Sequence, residues 1–125
     1  MTKEFITKDS GQRQEYASGM KRDLQLGKPQ FTLIFPEGQK YTESLFYRWA
    51  MLMTRGYEKY GWRNWEKANS KEELDRFKAS AFRHFMQWYF DEEDEDHASA
   101  ILFNINCFET IKTKLYNTDK NLQKI

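Results

Sequence analysis

The sequence is poor in the residues that announce a fold or an activity at a glance. It has one cysteine, two prolines, two histidines and no excess of either charge. The single cysteine, Cys107, cannot close an internal disulfide or build a CxxC metal motif. No apolar run approaches the ~20 residues that a membrane-spanning helix needs. The opening MTKEFITKDSGQ lacks the apolar core of a secretory signal, so the expectation is a soluble, cytoplasmic protein with no membrane partner. Twenty Lys and Arg face nineteen Asp and Glu, a formal charge of +1. That balance gives no general argument for a nucleic acid polymer or an anionic membrane surface as partner. At 125 residues the chain suits one domain.

What the sequence does have is aromatic residues, 17% of the chain, and three stretches of helical period. Residues 1–19 are polar and aperiodic and read as a flexible arm. Both prolines, Pro29 and Pro36, fall in the following stretch, where QFTLIF is at most a short extended piece. From Tyr41 to about Tyr60, Leu45, Trp49, Leu52 (or Met53) and Gly56 recur every three or four residues, with Thr42 as N-cap and Gly61 as terminator. SKEE, Ser70 to Glu73, has the form of a capping box. It opens a helix to about Phe90 with the stripe Leu74, Phe77, Ala81, Phe85 and Trp88 (or Met86). A third helix begins inside DEEDED, Asp91 to Asp96, and runs through Leu115, with the stripe Ala98, Ile101, Ile105, Phe108, Ile111 and Leu115. The reading is all-α: an irregular arm over 1–19, a helical domain over 20–116 and a tail over 117–125. Three helices bury a modest core, so completion of the bundle by oligomerisation, as a dimer or tetramer, is expected.

DEEDED poses a chemical question. One or two carboxylates at a helix N-terminus are favoured by its dipole, but six repel one another beyond the first turn. A solvated hinge is the commonest fate of such a run. A divalent cation is the sharper reading, because hard oxygen ligands suit Mg²⁺ or Mn²⁺ and the ion removes the repulsion. Glu93 and Asp96 stand three apart, on one face if the helix starts early, and His97, Ala100 and Asn104 continue that face. A second polar cluster is RGYEKYGWRNWEK, Arg55 to Lys67. It interleaves Arg55, Lys59, Arg63 and Lys67 with Tyr57, Tyr60, Trp62 and Trp65, cations for phosphates and rings for a base. Asn64 can offer an amide edge to that base. Arg83 and His84 lie just before the acid run.

These elements together resemble the dATP/dGTP diphosphohydrolase N-terminal family, phage-type MazG-like enzymes that include the MazZ proteins. The resemblance spans about residues 18 to 106. It rests on Arg22, Asp23, Gly27, Lys28 and Pro36 in SGMKRDLQLGKPQFTLIFP. It rests also on Gly56, Lys59, Tyr60, Gly61, Asn64, Trp65, Glu66 and Lys67 in RGYEKYGWRNWEK, and on Arg83, His84, Trp88, Glu92, Asp96, His97 and Asn104 in the last block. It implies a MazG-like helical bundle that hydrolyses purine deoxynucleoside triphosphates, dATP or dGTP, to the monophosphate and pyrophosphate. In phages with 2-aminoadenine genomes, similar enzymes deplete dATP and yield dGMP.

Under that resemblance Glu92, Glu93 and Asp96 would be catalytic and would hold Mg²⁺ or Mn²⁺. Glu43 or Glu58 would complete the metal cage from the first helix. Water would be activated by one of these carboxylates or by the ion. Lys59, Arg63 and Arg83, with Arg22 and Lys28 from the arm, would hold phosphates. Tyr60, Asn64 and Trp65 would meet the nucleoside, Asn104 would line the same site, and His84 and His97 would orient water or carboxylates. The alternative is a non-catalytic helical module that binds a nucleotide or a protein. A phosphohydrolase of the HD type is disfavoured, because two histidines and no His-Asp pair cannot supply its ligands.

Overall fold

The computed structural model describes residues 4–118; the expected tail over 117–125 therefore lies almost wholly outside the described residues. Residues up to Pro36 form one compact unit and those from Glu37 another. The first unit contains an antiparallel ribbon of two short strands, β1 (Arg13–Glu15) and β2 (Lys21–Asp23), with Gln14 opposite Arg22. Gly19, at φ 90°, closes its turn by donating to the Tyr16 carbonyl. This ribbon is absent from the sequence-based reading, and it straddles the boundary expected at residue 19. Its strands, RQE and KRD, are polar and exposed, so no alternation of polar and apolar residues marks them. Asp23 ties the ribbon's base, taking hydrogen bonds from Ser10 and facing Lys28 at 3.7 Å. QFTLIF holds a 3₁₀ turn at Phe31–Ile34 instead of an extended piece.

The second unit is three helices: α1 (Leu45–Tyr60), α2 (Lys71–Tyr89) and α3 (His97–Thr118). α1 starts four residues later than its periodicity suggests, because a 3₁₀ turn occupies Tyr41–Glu43 and Ser44, not Thr42, caps the Phe46 amide. Gly61 ends α1 at φ 89°, as expected. Ser70 accepts from the Glu73 amide, and the Glu73 carboxylate reaches back to the Asn69 amide at 3.0 Å, closing the box one residue earlier than the usual pattern.

α2 and α3 form the tightest pair and run antiparallel. Leu74 near the start of α2 clusters with Ile111 and Leu115 near the end of α3, joined by Ala68, Trp65, Phe77 and Phe108. At the other end His84 meets His97. The buried face of α3 departs from its apolar stripe: His97, Ala100, Asn104, Cys107, Ile111 and Leu115 are buried, whereas Ile105 is half exposed. On α2 the buried positions are Leu74 and His84, and Phe82, Phe85, Trp88, Tyr89 and Phe90 are exposed. Near the α2–α3 turn the polar residues His84, His97 and Asn104 take inward positions that the apolar stripes do not mark.

Candidate functional site

All six acids lie between helices. α2 stops at Tyr89, Asp91 adopts a left-handed conformation (φ 60°), and α3 begins only at His97. Glu93 and Asp96 therefore do not share a helical face. Asp96 is the N-cap of α3: its carboxylate accepts from the Ser99 amide at 3.2 Å and the Ser99 hydroxyl at 2.8 Å. The same carboxylate is held by the Arg48 guanidinium of α1 at 2.6 and 2.9 Å. That hydrogen bond, more than any other contact, lowers the Asp96 pKa to about 2.

Beside the acids two buried imidazoles meet. His84 Nδ1 and His97 Nδ1 are 2.8 Å apart, and His97 Nε2 is 2.7 Å from the Asp94 carboxylate. Asp94 can only accept, so His97 carries its proton on Nε2 and its Nδ1 is bare. His84 then donates from Nδ1, and its own bare Nε2 faces Arg83 Nη2 at 3.3 Å. Every contact is satisfied when both rings are neutral. Burial, and then the adjacent Arg83 charge, push the His84 pKa down, in agreement with that state. The hydrogen bond from His97 lowers the Asp94 pKa.

A cleft of about 1140 Å³ opens against this cluster. Its walls bring together Lys59 and Tyr60 from the end of α1, Arg63, Asn64 and Trp65 from the turn after it, His84 from α2, Asp94, Glu95 and Asp96 from the acid run, and Asn104 from α3. Two distant sequence motifs thus share one concavity, with cations and rings on one part and carboxylates on another. The basic turn is partly self-paired. Arg63 bridges Glu66 at 2.9 Å and lies over Trp62, and Lys59 lies over Tyr60. Trp65 lines the cleft and also packs on the hydrophobic core.

The remaining expected residues are placed elsewhere. Glu92 and Glu93 open on a smaller depression of about 510 Å³, which Glu95 and Asp96 also line. Arg83 bonds Gln87 and His84. Glu58 is exposed on α1, and Glu43 is exposed in the 3₁₀ turn before it rather than on the helix. Arg22 and Lys28 belong to the first unit. Among the described residues, donor atoms converge within 4.8 Å in two groups, Glu92, Asp94 and His97, and His84, Glu95 and His97. Glu43, Glu58, Glu93 and Asp96 are in neither.

Sequence reasoning passed over Arg48, Arg76, Asp94 and Glu95, although Arg48 holds Asp96 and the other three line the cleft. Arg48 and Arg76 are ordinary helical arginines with no local signal. Asp94 and Glu95 sit within a run of six acids whose orientation only the turn geometry decides.

Among the described residues no helix is long and apolar enough to cross a membrane. No curated protein and no solved structure matches the chain. The family model for the N-terminal region of dATP/dGTP diphosphohydrolases matches residues 18–120. With the match covering most of its length, the chain belongs to the dATP/dGTP diphosphohydrolase N-terminal family.

Proposed function

We propose that the protein hydrolyses dATP or dGTP between the α and β phosphates, with a divalent cation, Mg²⁺ or Mn²⁺, bound at the acid run. The observation that carries this reading is the cleft in which Lys59, Arg63 and Asn64 share walls with Asp94, Glu95 and Asp96. Glu92 and Asp94 offer hard carboxylate oxygens that suit such an ion, within 4.8 Å of each other and of a His97 ring nitrogen. Glu93, Glu95 and Asp96 extend the same run. Bound there, the ion supplies neutralisation of phosphate charge.

The chain's own residues then divide the work. Lys59, Arg63 and Arg76 hold the triphosphate oxygens, as phosphoryl chemistry demands positioning and charge compensation above all. Asn64 and Tyr60 contact the nucleoside. A carboxylate of the acid run, Glu95 or Asp94, accepts a proton from water as its oxygen bonds to the α-phosphorus. The α–β bridging bond breaks and pyrophosphate leaves. Self-association follows from the apolar surface: Phe82, Phe85, Trp88, Tyr89 and Phe90 leave an exposed aromatic face on the end of α2 that a second copy would cover.

A panel of deoxynucleoside and ribonucleoside triphosphates with Mg²⁺ or Mn²⁺, with products resolved by anion exchange, tests the reaction. Purine deoxynucleoside monophosphate and pyrophosphate are expected. Nucleoside diphosphate and inorganic phosphate would refute α–β cleavage. Tight nucleotide binding with no product at all would favour a non-catalytic binding module.

A further inference from the structure

We propose that the buried imidazoles of His84 and His97, with the Glu95 carboxylate as third donor, form a binding site for a borderline divalent transition ion of the Zn²⁺ or Co²⁺ class. This site differs in chemistry from the carboxylate-rich group proposed above, with which it shares His97, by having two imidazoles rather than one. The two Nδ1 atoms are 2.8 Å apart. Two nitrogens bonded to one ion at about 2.0–2.1 Å stand roughly 3 Å apart when they occupy adjacent coordination positions, so the rings need to move little. The donor atoms of His84, Glu95 and His97 lie within 4.8 Å of one another. Behind His97, Asp94 accepts from Nε2 at 2.7 Å. A carboxylate so placed fixes a ligating imidazole with its opposite nitrogen bare. Both rings are fixed by the α2–α3 packing, His84 being 8% and His97 2% exposed. Imidazole nitrogen is a donor that Zn²⁺ and Co²⁺ accept readily, while Mg²⁺ keeps to oxygen and to its water shell.

The protons balance without any being released. Before binding, His84 carries its proton on Nδ1. Coordination by both Nδ1 atoms moves that proton to Nε2, which faces Arg83 Nη2 at 3.3 Å. Two donors cannot share that contact, and the guanidinium charge also opposes a cation. Arg83 is exposed and can swing away, but doing so works against binding. Arg83 is therefore a brake on the site, and its removal tightens binding.

Zn²⁺ is titrated into the untagged full chain without nucleotide, followed by calorimetry and by the ¹⁵N resonances of the histidine rings. One ion per chain is expected, with both Nδ1 resonances shifting and binding surviving an excess of Mg²⁺ of about a hundredfold. His84→Gln and Glu95→Gln should each lower affinity by about tenfold or more, Asp94→Asn by about tenfold, and Arg83→Met should raise it. Glu95 is exposed, so Glu95→Gln keeps its fold even where His84→Gln does not. No Zn²⁺ binding, binding with unmoved ring nitrogens, undiminished affinity in Glu95→Gln, or ready displacement by Mg²⁺ would overturn the site. Because nucleotide is absent, the outcome stands apart from hydrolysis, which pyrophosphate release from dATP or dGTP with Mg²⁺ as the sole metal reports by itself.

Discussion

Arg48 grips Asp96 through both carboxylate oxygens, Nε to Oδ2 at 2.9 Å and Nη2 to Oδ1 at 2.6 Å. The two residues are forty-eight positions apart, so this fork ties α1 to the first turn of α3. The carboxylate does two structural jobs at once, since it also caps α3 through Ser99.

Replacing that group separates structure from chemistry. Asp96→Ala loses cap and fork together and should cost about 1–3 kcal/mol in urea denaturation. Asp96→Asn keeps a good N-cap and should cost clearly less. If Asp96 is also needed for turnover, as the sequence suggests, Asp96→Asn will be well folded by circular dichroism yet release no pyrophosphate. Full activity in Asp96→Asn would reduce the residue to a structural one.

The same fork has a pH signature. Folding lowers the Asp96 pKa from its ordinary 3.8 to about 2. A lowered carboxylate pKa gives stability that is present above the ordinary value and is lost as pH falls toward the folded one. The wild type should therefore lose more of its urea midpoint between pH 5 and pH 2 than Asp96→Asn does. Equal losses in the two proteins would show that Arg48 does not hold the charge in solution.

Catalysis should depend on the carboxylates that face the cleft. Asp94→Asn or Glu95→Gln should lower kcat with dATP or dGTP by roughly a hundredfold, the scale of a lost general base. Lys59→Ala should act on KM instead, raising it about tenfold or more, because a hydrogen bond to a charged group is worth about 1.5–3 kcal/mol. Steady-state kinetics on the three variants checks the division. A kcat loss in Lys59→Ala with unchanged KM would reverse these roles.

Trp65 carries two loads. It lines the cleft and, itself partly buried, packs against the core cluster that contains Leu74 and Ile111. Trp65→Ala should cost about 3–5 kcal/mol, near the cost of emptying any large aromatic site in a core. Trp65→Phe should recover most of the stability. If Trp65→Phe is stable but binds dATP or dGTP weakly, the indole meets the nucleoside; if it binds normally, the ring serves the core alone.

Self-association through the aromatic end of α2 would be sensitive to charge placed on that face. Phe85→Glu or Trp88→Glu puts charge on an exposed face and should convert a dimer or tetramer into monomer by light scattering, with helix content retained. A wild type that is already monomeric at high concentration would remove the case for pairing through this face.

The legible parts of this fold were some of its helix ends, though not the start of α1, where Ser44 rather than Thr42 is the cap. Gly61, Ser70 with Glu73, and the acid run mark real boundaries because capping chemistry is local and depends on few neighbours. The buried faces were harder. On α3 the inward positions near its start are His97, Ala100 and Asn104, whose burial is set by partners on α2 that periodicity cannot see. The ribbon at residues 13–23 carries no apolar alternation at all. Within the site, the basic turn and the acid run were readable as chemistry. Which acids face the cleft was not, because Asp91 turns the chain left-handed and uncouples the run from helical geometry.

That turn makes spacing matter more than sign. Seven residues join Tyr89 to His97, and the two helices they connect are held in register by imidazoles in contact. Deleting one acid would leave five and scarcely change the charge of the segment. It would also shorten a non-helical connection of only seven residues, pulling the first turn of α3 and the His97 ring away from His84. The length of this hairpin is thus guarded more strictly than its composition, and a neutral residue traded for an acid at an exposed position should be better tolerated than a gap.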